Sequence, residues 1–385
     1  MLRFSGRLLL AATSTLFSQQ AVGITTSIFP ARYVQGPGAL NLLGEELARL
    51  GKKALVVQDP QVEKLYGKKL QSVLSGKVSA VMELLKGAVC DEEIKRISSH
   101  NDVDLVVGIG GGCTMDTSKA VGYELKVPTA VVPTLAASDA ACSALSVIYT
   151  KDHVFDRYLF VPHNPNLVLV DSEIIAKAPA RFLVSGMGDA LATWFEAESC
   201  SLGHKPNMTG RLGSAMGLSL ARLCYETLLE YGVLAKQACE CGVTCPALER
   251  VIEANIFLSG IGFESAGLGG AHAIHNGLMV IPEAHKCWHG ERVTIGLLAT
   301  LLLTNRPPQV IDTVYGFCES VGLPTTLADI GCGDVSDEVL LQAATVACAP
   351  EDTMQNETGT ITPTAVFNAM KIADYIGRSR AQKKH

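Results

Sequence analysis

Between about Ile24 and Ala180 the chain alternates short apolar, β-branched runs with amphipathic stretches. Ala54 to Val57 reads as a strand ending at Asp59-Pro60, and Val78 to Leu85 as a second strand with its exit. Val103 to Val107 predicts a third, Val127 to Val132 a fourth running into Pro133-Thr134, and Leu167 to Val170 a fifth ending at Asp171. Cys90 to Ser99, with Ile94 and Ile97 one turn apart, predicts a helix between the second and third. Continuous apolar runs suit strands buried on both faces. Their alternation with helical stretches argues for an α/β fold with a parallel sheet covered on both sides.

After Pro179 the periodicity becomes helical. Met187 to Cys200, Arg211 to Tyr231, Ala247 to Gly260, Glu291 to Leu303, Ile311 to Val321, Asp337 to Ala347 and Thr364 to Arg378 all carry it, and no convincing strand interrupts them. A chain of 385 residues with 48% hydrophobic content has room for two domains, each with a sizeable core. The pattern divides it into an α/β domain over residues 24–180 and an all-helical domain over residues 181–385.

Residues Val103 to Ala120, VDLVVGIGGGCTMDTSKA, give the first domain its chemistry. A strand runs into Gly108, Gly110, Gly111 and Gly112, and Thr114 to Val121 then reads as a helix with Asp116 in its first turn. Glycines let backbone approach an anion, and the free N–H groups of a helix start point at it. The stretch is neither a Walker motif nor a full G-x-G-x-x-G, because Cys113 stands where the last glycine would be. A plain tight turn is the other reading of these glycines. Ligands on parallel sheets gather at the carboxyl ends of strands. Asp59, the glycines, Thr134 and Ser138-Asp139 all fall there, which favours a dinucleotide site and a Rossmann-like domain.

Composition narrows the remaining classes. The formal net charge of −6 is spread along the chain, and aromatics do not interleave with basic residues, so nothing points to nucleic acid. No apolar run is long enough to span a bilayer. Residues 1–23 carry Arg3 and Arg7, several Ser, Thr and Gln, and no acidic residue; the first is Glu45. That composition predicts a mitochondrial transit peptide and matrix localisation, with a secretory signal or a plain tail in a cytoplasmic protein as alternatives. Twelve scattered cysteines do not make a disulfide scaffold. The one cluster, Cys239, Cys241 and Cys245, reads as reduced loop thiols rather than part of a metal site.

Four of the nine histidines, His272, His275, His285 and His289, fall close together in the helical half. His272 and His275 are i and i+3, and His285 and His289 are i and i+4. Clustered imidazoles suggest a metal and suit zinc, against the alternative of ordinary core or surface histidines. A mixed site also needs an oxygen ligand. Asp189, in Ser185-Gly-Met-Gly-Asp189, is read as opening the first helix of the second domain; spacing alone does not link it to the histidines. A nucleophile elbow, an H-E-x-x-H helix and a C-x-x-C pair are all missing.

The stretches GIGGGCTMDTSKA, SDAACSALSVIYT, HNPNLVLVD, GMGDALATWFEA, ALERVIEAN, GFESAGLGGAHAIHNGL and HGERV together resemble the iron-containing, or group III, alcohol dehydrogenase superfamily. The resemblance runs from about Ser27 to Arg378. It implies an active site between a nucleotide domain and a helical metal-binding domain. It implies oxidation of glycerol and related vicinal diols to dihydroxyacetone, with NAD+ as hydride acceptor and Zn2+ as the metal. It places the metal on Asp189, His272 and His289. Iron-dependent relatives carry a further His one turn after the Asp, where this chain has Thr193, so the three-ligand zinc pattern fits better. For NAD it implies Asp59 at the adenosine ribose, Gly111, Gly112 and Cys113 at the pyrophosphate, and Thr134, Ala137, Ser143, Leu145 and Tyr149 along the rest. Asp139 matches the residue that holds glycerol. Cys113 departs from a common Lys and Ala137 from a common Ser, which bears on cofactor affinity. The resemblance also implies a homo-oligomer, often an octamer. Two other readings stay open: a dehydroquinate-synthase-like lyase using NAD and zinc, and a non-catalytic NAD- or metal-binding protein. The lyase needs a basic cluster for a phosphorylated substrate, and Lys286 and Arg292 stand isolated.

Overall fold

The computed structural model describes residues 23–152 and 154–383, so the predicted leader lies, apart from Gly23, outside the described residues. The strands are β1 (Tyr33–Gly36), β2 (Lys53–Gln58), β3 (Ser79–Leu84), β4 (Leu105–Gly110), β5 (Thr129–Pro133), β6 (Leu145–Tyr149), β7 (Phe155–Phe160) and β8 (Leu167–Asp171). Six of them make one sheet in the order β1-β8-β5-β4-β2-β3, parallel throughout, while β6 and β7 form an antiparallel hairpin. The first half also holds helices α1 (Leu43–Leu47), α2 (Pro60–Leu74), α3 (Asp91–Ile97), α4 (Gly112–Leu125) and α5 (Ser172–Ala176). The second half is helical: α6 (Ala180–Leu202), α7 (Ala215–Glu240), α8 (Pro246–Glu253), α9 (Ser259–Ala266), α10 (Gly270–Leu278), α11 (His289–Leu303), α12 (Pro308–Val321), α13 (Asp337–Ala347) and α14 (Pro363–Gln382).

Alternation along the central strands decides what covers each face, because successive side chains point to opposite sides. Ala54, Val56, Leu105, Val107, Ala130, Val132, Leu167 and Leu169 pack into one core with Val62, Leu70 and Leu74 of α2. On the opposite face Leu55, Val57 and Val106 meet Ile94 and Ile97 of α3 and Ala120 and Val121 of α4. Val131, Val168 and Val170 face that same side, yet they join the large core of the helical half. The helical half therefore supplies part of the sheet's own cover.

The five predicted strands are present with their ends within three residues, and among the described residues no strand follows Asp171. Three elements carry too weak an apolar signal to read. β1 is four half-buried residues including Gln35 and Gly36. In the hairpin, β7 exposes Phe155, Asp156, Arg157 and Tyr158. The amphipathic α2 runs between the first two predicted strands, with Asp59 accepting from the Gln61 N–H as its cap.

Helix boundaries need four corrections. α4 begins at Gly112, so Asp116 lies a turn inside and pairs with Lys119 at 3.0 Å rather than opening the helix. α6 begins at Ala180, which puts Asp189 in mid-helix and fully buried. α7 runs on to Glu240, so Cys239 is a buried helix residue near the carbonyls of Ile175, Ala176 and Ala178, not a loop thiol. The helix read over Ala247 to Gly260 is broken by a π turn at Ala254–Leu258, where the buried Asn255 amide donates to the carbonyls of Ala136 and Leu183, both at 3.0 Å.

Candidate active site

The chain passes from β2 outward to β3 and then crosses back to β4, so neighbouring β2 and β4 send their following helices to opposite faces. That reversal opens a crevice at the carboxyl ends of the two strands, where dinucleotides bind in doubly wound sheets. Asp59 closes β2 and Gly111 caps α4 after β4, and the Asp59 N–H donates to the Ile109 carbonyl at 3.2 Å. The glycines here do two different jobs. A Cβ on Gly108 or Gly110 would come within 2.4 Å of Ser118 or Thr114, so those two let α4 lie against its strand. A Cβ on Gly112 would meet nothing within 4 Å, so packing does not require that glycine. It leaves space at a helix N-terminus, which suits a phosphate.

The other nucleotide residues predicted from the sequence differ in where they stand. Cys113 is exposed in the first turn of α4. Thr134 follows β5, its N–H bonded to the Gly110 carbonyl at 3.0 Å. Ala137 lies beyond it, its carbonyl 3.4 Å from the Ser185 hydroxyl of α6. Burial, then Asp116 and Cys113, push the Tyr149 phenol up to about 12, so it stands neutral beside the start of α4. Ser143 is turned inward: its hydroxyl donates to the Ala140 carbonyl at 3.2 Å and lies 3.4 Å from the buried Lys119 ammonium. Lys119 also donates to the carbonyls of Ala140 and Leu145, tying α4 to the segment before the hairpin.

The residues expected to hold a metal come from three helices. Asp189, His272 and His289 each offer a ligand atom, and these atoms lie within 4.8 Å of one another. Asp189 Oδ1 is 3.3 Å from the Nε2 atoms of both His272 and His289. It is buried and has no hydrogen-bond partner. An orphaned carboxylate oxygen facing two imidazole nitrogens fits a divalent cation and leaves an open coordination position.

Each imidazole is aimed by its other nitrogen. His272 Nδ1 lies 2.7 Å from Glu196 Oε2, and Glu196 Oε1 accepts from the N–H groups of Gly269 and His272, both at 2.9 Å. Glu196 thus caps the start of α10 and fixes the ring that α10 carries. The sequence reading missed it, although it stands seven residues after Asp189 and so two turns along the same face of α6. His289 Nδ1 lies 3.1 Å from His275 Nε2. His275, expected beside His272, turns instead to His289, with ring centroids at 4.4 Å against 6.5 Å. His285 is exposed, bonds the Met279 carbonyl at 2.8 Å and stays out of the cluster, because the chain breaks between it and α11.

Backbone contact between helices sets the separation of the ligands. A Cβ on Gly290 would fall 1.7 Å from the Ser185 carbonyl and 2.9 Å from the Asp189 nitrogen. The first turn of α11 therefore rests directly on α6, and His289 meets Asp189. Arg181 at the start of α6 bonds Glu291 at 2.6 and 2.9 Å, while Glu291 accepts from the Trp288 N–H at 2.8 Å, which holds that turn in place.

Asp139 lies between the two sites. Its N–H points at Asp189 Oδ2 at 3.4 Å, and its Oδ2 accepts from the Ser259 hydroxyl at 2.6 Å. Ser259 in turn is 2.8 Å from the Thr193 hydroxyl. Burial, then the Asp189 charge, push the Asp139 carboxyl well above the usual carboxylate range. Burial would raise Asp189 too, but His289 and His272 outweigh it and hold it low. Burial opposes a charge on His272, yet Glu196 and Asp189 raise its pKa well above 6.5. Burial, then His289 and Arg292, keep His275 well below that value and neutral.

A dinucleotide-type crevice at the strand ends, together with a buried carboxylate faced by two imidazoles, fits a nucleotide-dependent oxidoreductase. The model of the iron-containing alcohol dehydrogenase family matches residues 30–172. Glycerol dehydrogenase of Thermotoga maritima is 59% identical over 360 residues, 93% of this chain and 99% of that one. The glycerol dehydrogenase of Citrobacter freundii is 48% identical, covering 91% and 97%. The crystal structure of glycerol dehydrogenase from Schizosaccharomyces pombe superposes with a TM-score of 0.91 at 34% identity, covering 94% and 93%. The chain belongs to the iron-containing alcohol dehydrogenase family, and it is an NAD-dependent oxidoreductase acting on alcohols.

Proposed function

We propose that the chain oxidises glycerol and related vicinal diols to the hydroxyketone, dihydroxyacetone in the case of glycerol, with NAD+ as acceptor and zinc as the metal. The observation that carries this is Asp189 Oδ1, buried, unpartnered and faced by two imidazole nitrogens, one residue contact away from Asp139. A divalent cation held by Asp189, His272 and His289 supplies Lewis acidity toward a substrate hydroxyl, and the nicotinamide supplies the hydride acceptor. Asp139 accepts a hydrogen bond from a neighbouring hydroxyl, which favours diols over simple alcohols. Ser259 holds that carboxylate in place, with Thr193 behind it. Thr193 at the position of a fourth ligand, its hydroxyl already engaged, supports three protein ligands and hence zinc. Asp59 favours ribose hydroxyls and repels a 2′-phosphate, so NAD is used in preference to NADP.

The lyase alternative loses its support, since Arg292 is buried and donates to the carbonyls of Ala284 and Cys287 rather than facing a substrate. The reading includes a homo-oligomeric, octameric assembly and mitochondrial import directed by residues 1–23. Light scattering and imaging of the full chain test those two parts. The central test combines metal analysis of the purified protein with NADH absorbance across glycerol, 1,2-propanediol and glycerol phosphate. Zinc near one per chain and turnover of glycerol and 1,2-propanediol support the function. Turnover of glycerol phosphate alone, or undiminished turnover after chelation, overturns it.

A further inference from the structure

His289 begins a hydrogen-bonded chain that leaves the metal cluster and ends on a residue far away in sequence. His289 Nδ1 meets His275 Nε2 at 3.1 Å, and His275 Nδ1 meets Asn276 Oδ1 at 3.1 Å. Asn276 Nδ2 donates to both oxygens of Asp352, at 3.1 and 3.3 Å. Asp352 is itself fixed at the turn after α13, where its Oδ1 accepts from the Thr353 N–H at 2.7 Å.

The chain has one consistent direction. A carboxylate only accepts, so Asp352 draws the Asn276 NH2 toward itself and turns the amide oxygen to His275. That oxygen requires a proton on His275 Nδ1, which leaves Nε2 as an acceptor. His289 must then donate from Nδ1, and its Nε2 presents a lone pair toward Asp189. A neutral imidazole has one N–H, so each link fixes the next. His272 needs no such chain, because Glu196 fixes its tautomer directly.

We propose that Asp352 and Asn276 are positioning residues that lock His289 in its metal-binding tautomer. This rests on the metal reading given above. Replacing the carboxylate by an amide, Asp352→Asn, keeps the size and the acceptor for Thr353 but sets two NH2 groups against each other. Flipping Asn276 relieves that clash. The flip then hands a donor to His275 Nδ1, reverses both imidazoles and places a proton on His289 Nε2, where a metal would sit. Asn276→Asp in the same chain restores an acceptor facing both His275 and the new amide, and with it the original direction.

The test is zinc affinity of the full chain, by competition with a fluorescent chelator, for the wild type, Asp352→Asn and the Asp352→Asn/Asn276→Asp pair. The single variant is expected to bind zinc about tenfold more weakly, the lower end for a residue behind a ligand. The pair should return to within about threefold of the wild type, and the metal-free melting temperatures should agree within a few degrees. Wild-type affinity in the single variant overturns the lock. So does a loss that the pair fails to reverse, since a packing role predicts additive damage. A wild type that binds no zinc overturns the metal reading and this inference together, and that result is distinct because it appears before any substitution.

Discussion

The nucleotide crevice and the metal cluster are built in opposite ways. The crevice is made of backbone at strand ends: Gly111, Gly112 and the first turn of α4, with the single carboxylate of Asp59 across from them. It is open, and nothing in the protein occupies the space beside Gly112. The cluster is made of side chains from α6, α10 and α11, a buried Asp189 and two half-buried imidazoles held by Glu196 and His275 from behind. A backbone site depends on main-chain geometry more than on any one side chain. A side-chain site depends on each member and on the helices that bring them together.

The sharpest test of this contrast is removal of a ligand. Asp189→Ala or His272→Ala should lower zinc content to background and turnover by about 10³-fold or more, since Lewis acidity contributes several kcal/mol to the barrier. Retention of zinc by either variant would break the assignment. His272 also gives metal binding a pH dependence. Its pKa is raised in the metal-free protein, so it carries a proton at neutral pH that the metal must displace. Affinity should therefore climb as pH rises, approaching tenfold per unit, and then level off above the raised pKa; a flat profile would contradict the assignment.

Next in size is Glu196→Gln. It keeps the shape and one acceptor but no longer fixes His272 by charge, so zinc affinity should fall about 10–100-fold. A pair of glycines then separates the two sites by stability. Gly290→Ala forces α11 off the Ser185 carbonyl, and overpacking of this kind costs about 1–3 kcal/mol or more. Gly112→Ala should leave the melting temperature nearly unchanged while weakening NAD+ binding, read by NADH fluorescence. If Gly112→Ala melts as early as Gly290→Ala, the open-space reading of the crevice is wrong. Smallest of all is Asp59→Asn, which keeps the cap on α2. It should narrow the preference for NAD+ over NADP+ by about tenfold, through the Michaelis constant.

The same contrast explains what the sequence discloses. The crevice is legible because Val103 to Gly112 is contiguous and its period and glycines are local. The central strands are legible because both their faces are buried. The cluster is only half legible: four histidines close together suggest a metal, but His272 and His275 share a helix turn and then face different partners. Choosing between them took the family resemblance. Asp189 was misread as a helix opener because Pro179, not the Ser-Gly-Met-Gly stretch, starts α6. Gly186, Gly188 and Gly290 look like helix breakers in a one-dimensional reading, and are points of close approach between packed segments in the fold. The Asn276–Asp352 link joins residues 76 positions apart, so no local pattern announces it.

The shared face of the sheet has a consequence for how the chain can be cut. Val131, Val168 and Val170 share their core with only a few residues of the first half, Met115, Ile175 and Ala176 among them, and otherwise lean on the helical half. Chain cleaved near Ala180 would leave an N-terminal fragment with a bare apolar strip along β5 and β8, the kind of surface that self-associates. The reciprocal fragment would lose the floor beneath α6. The break in secondary structure at Pro179 is thus not a seam between independently folding pieces. Melting should be a single cooperative event, and exchange of one half for a relative's would succeed only if that strip of valines were matched as well.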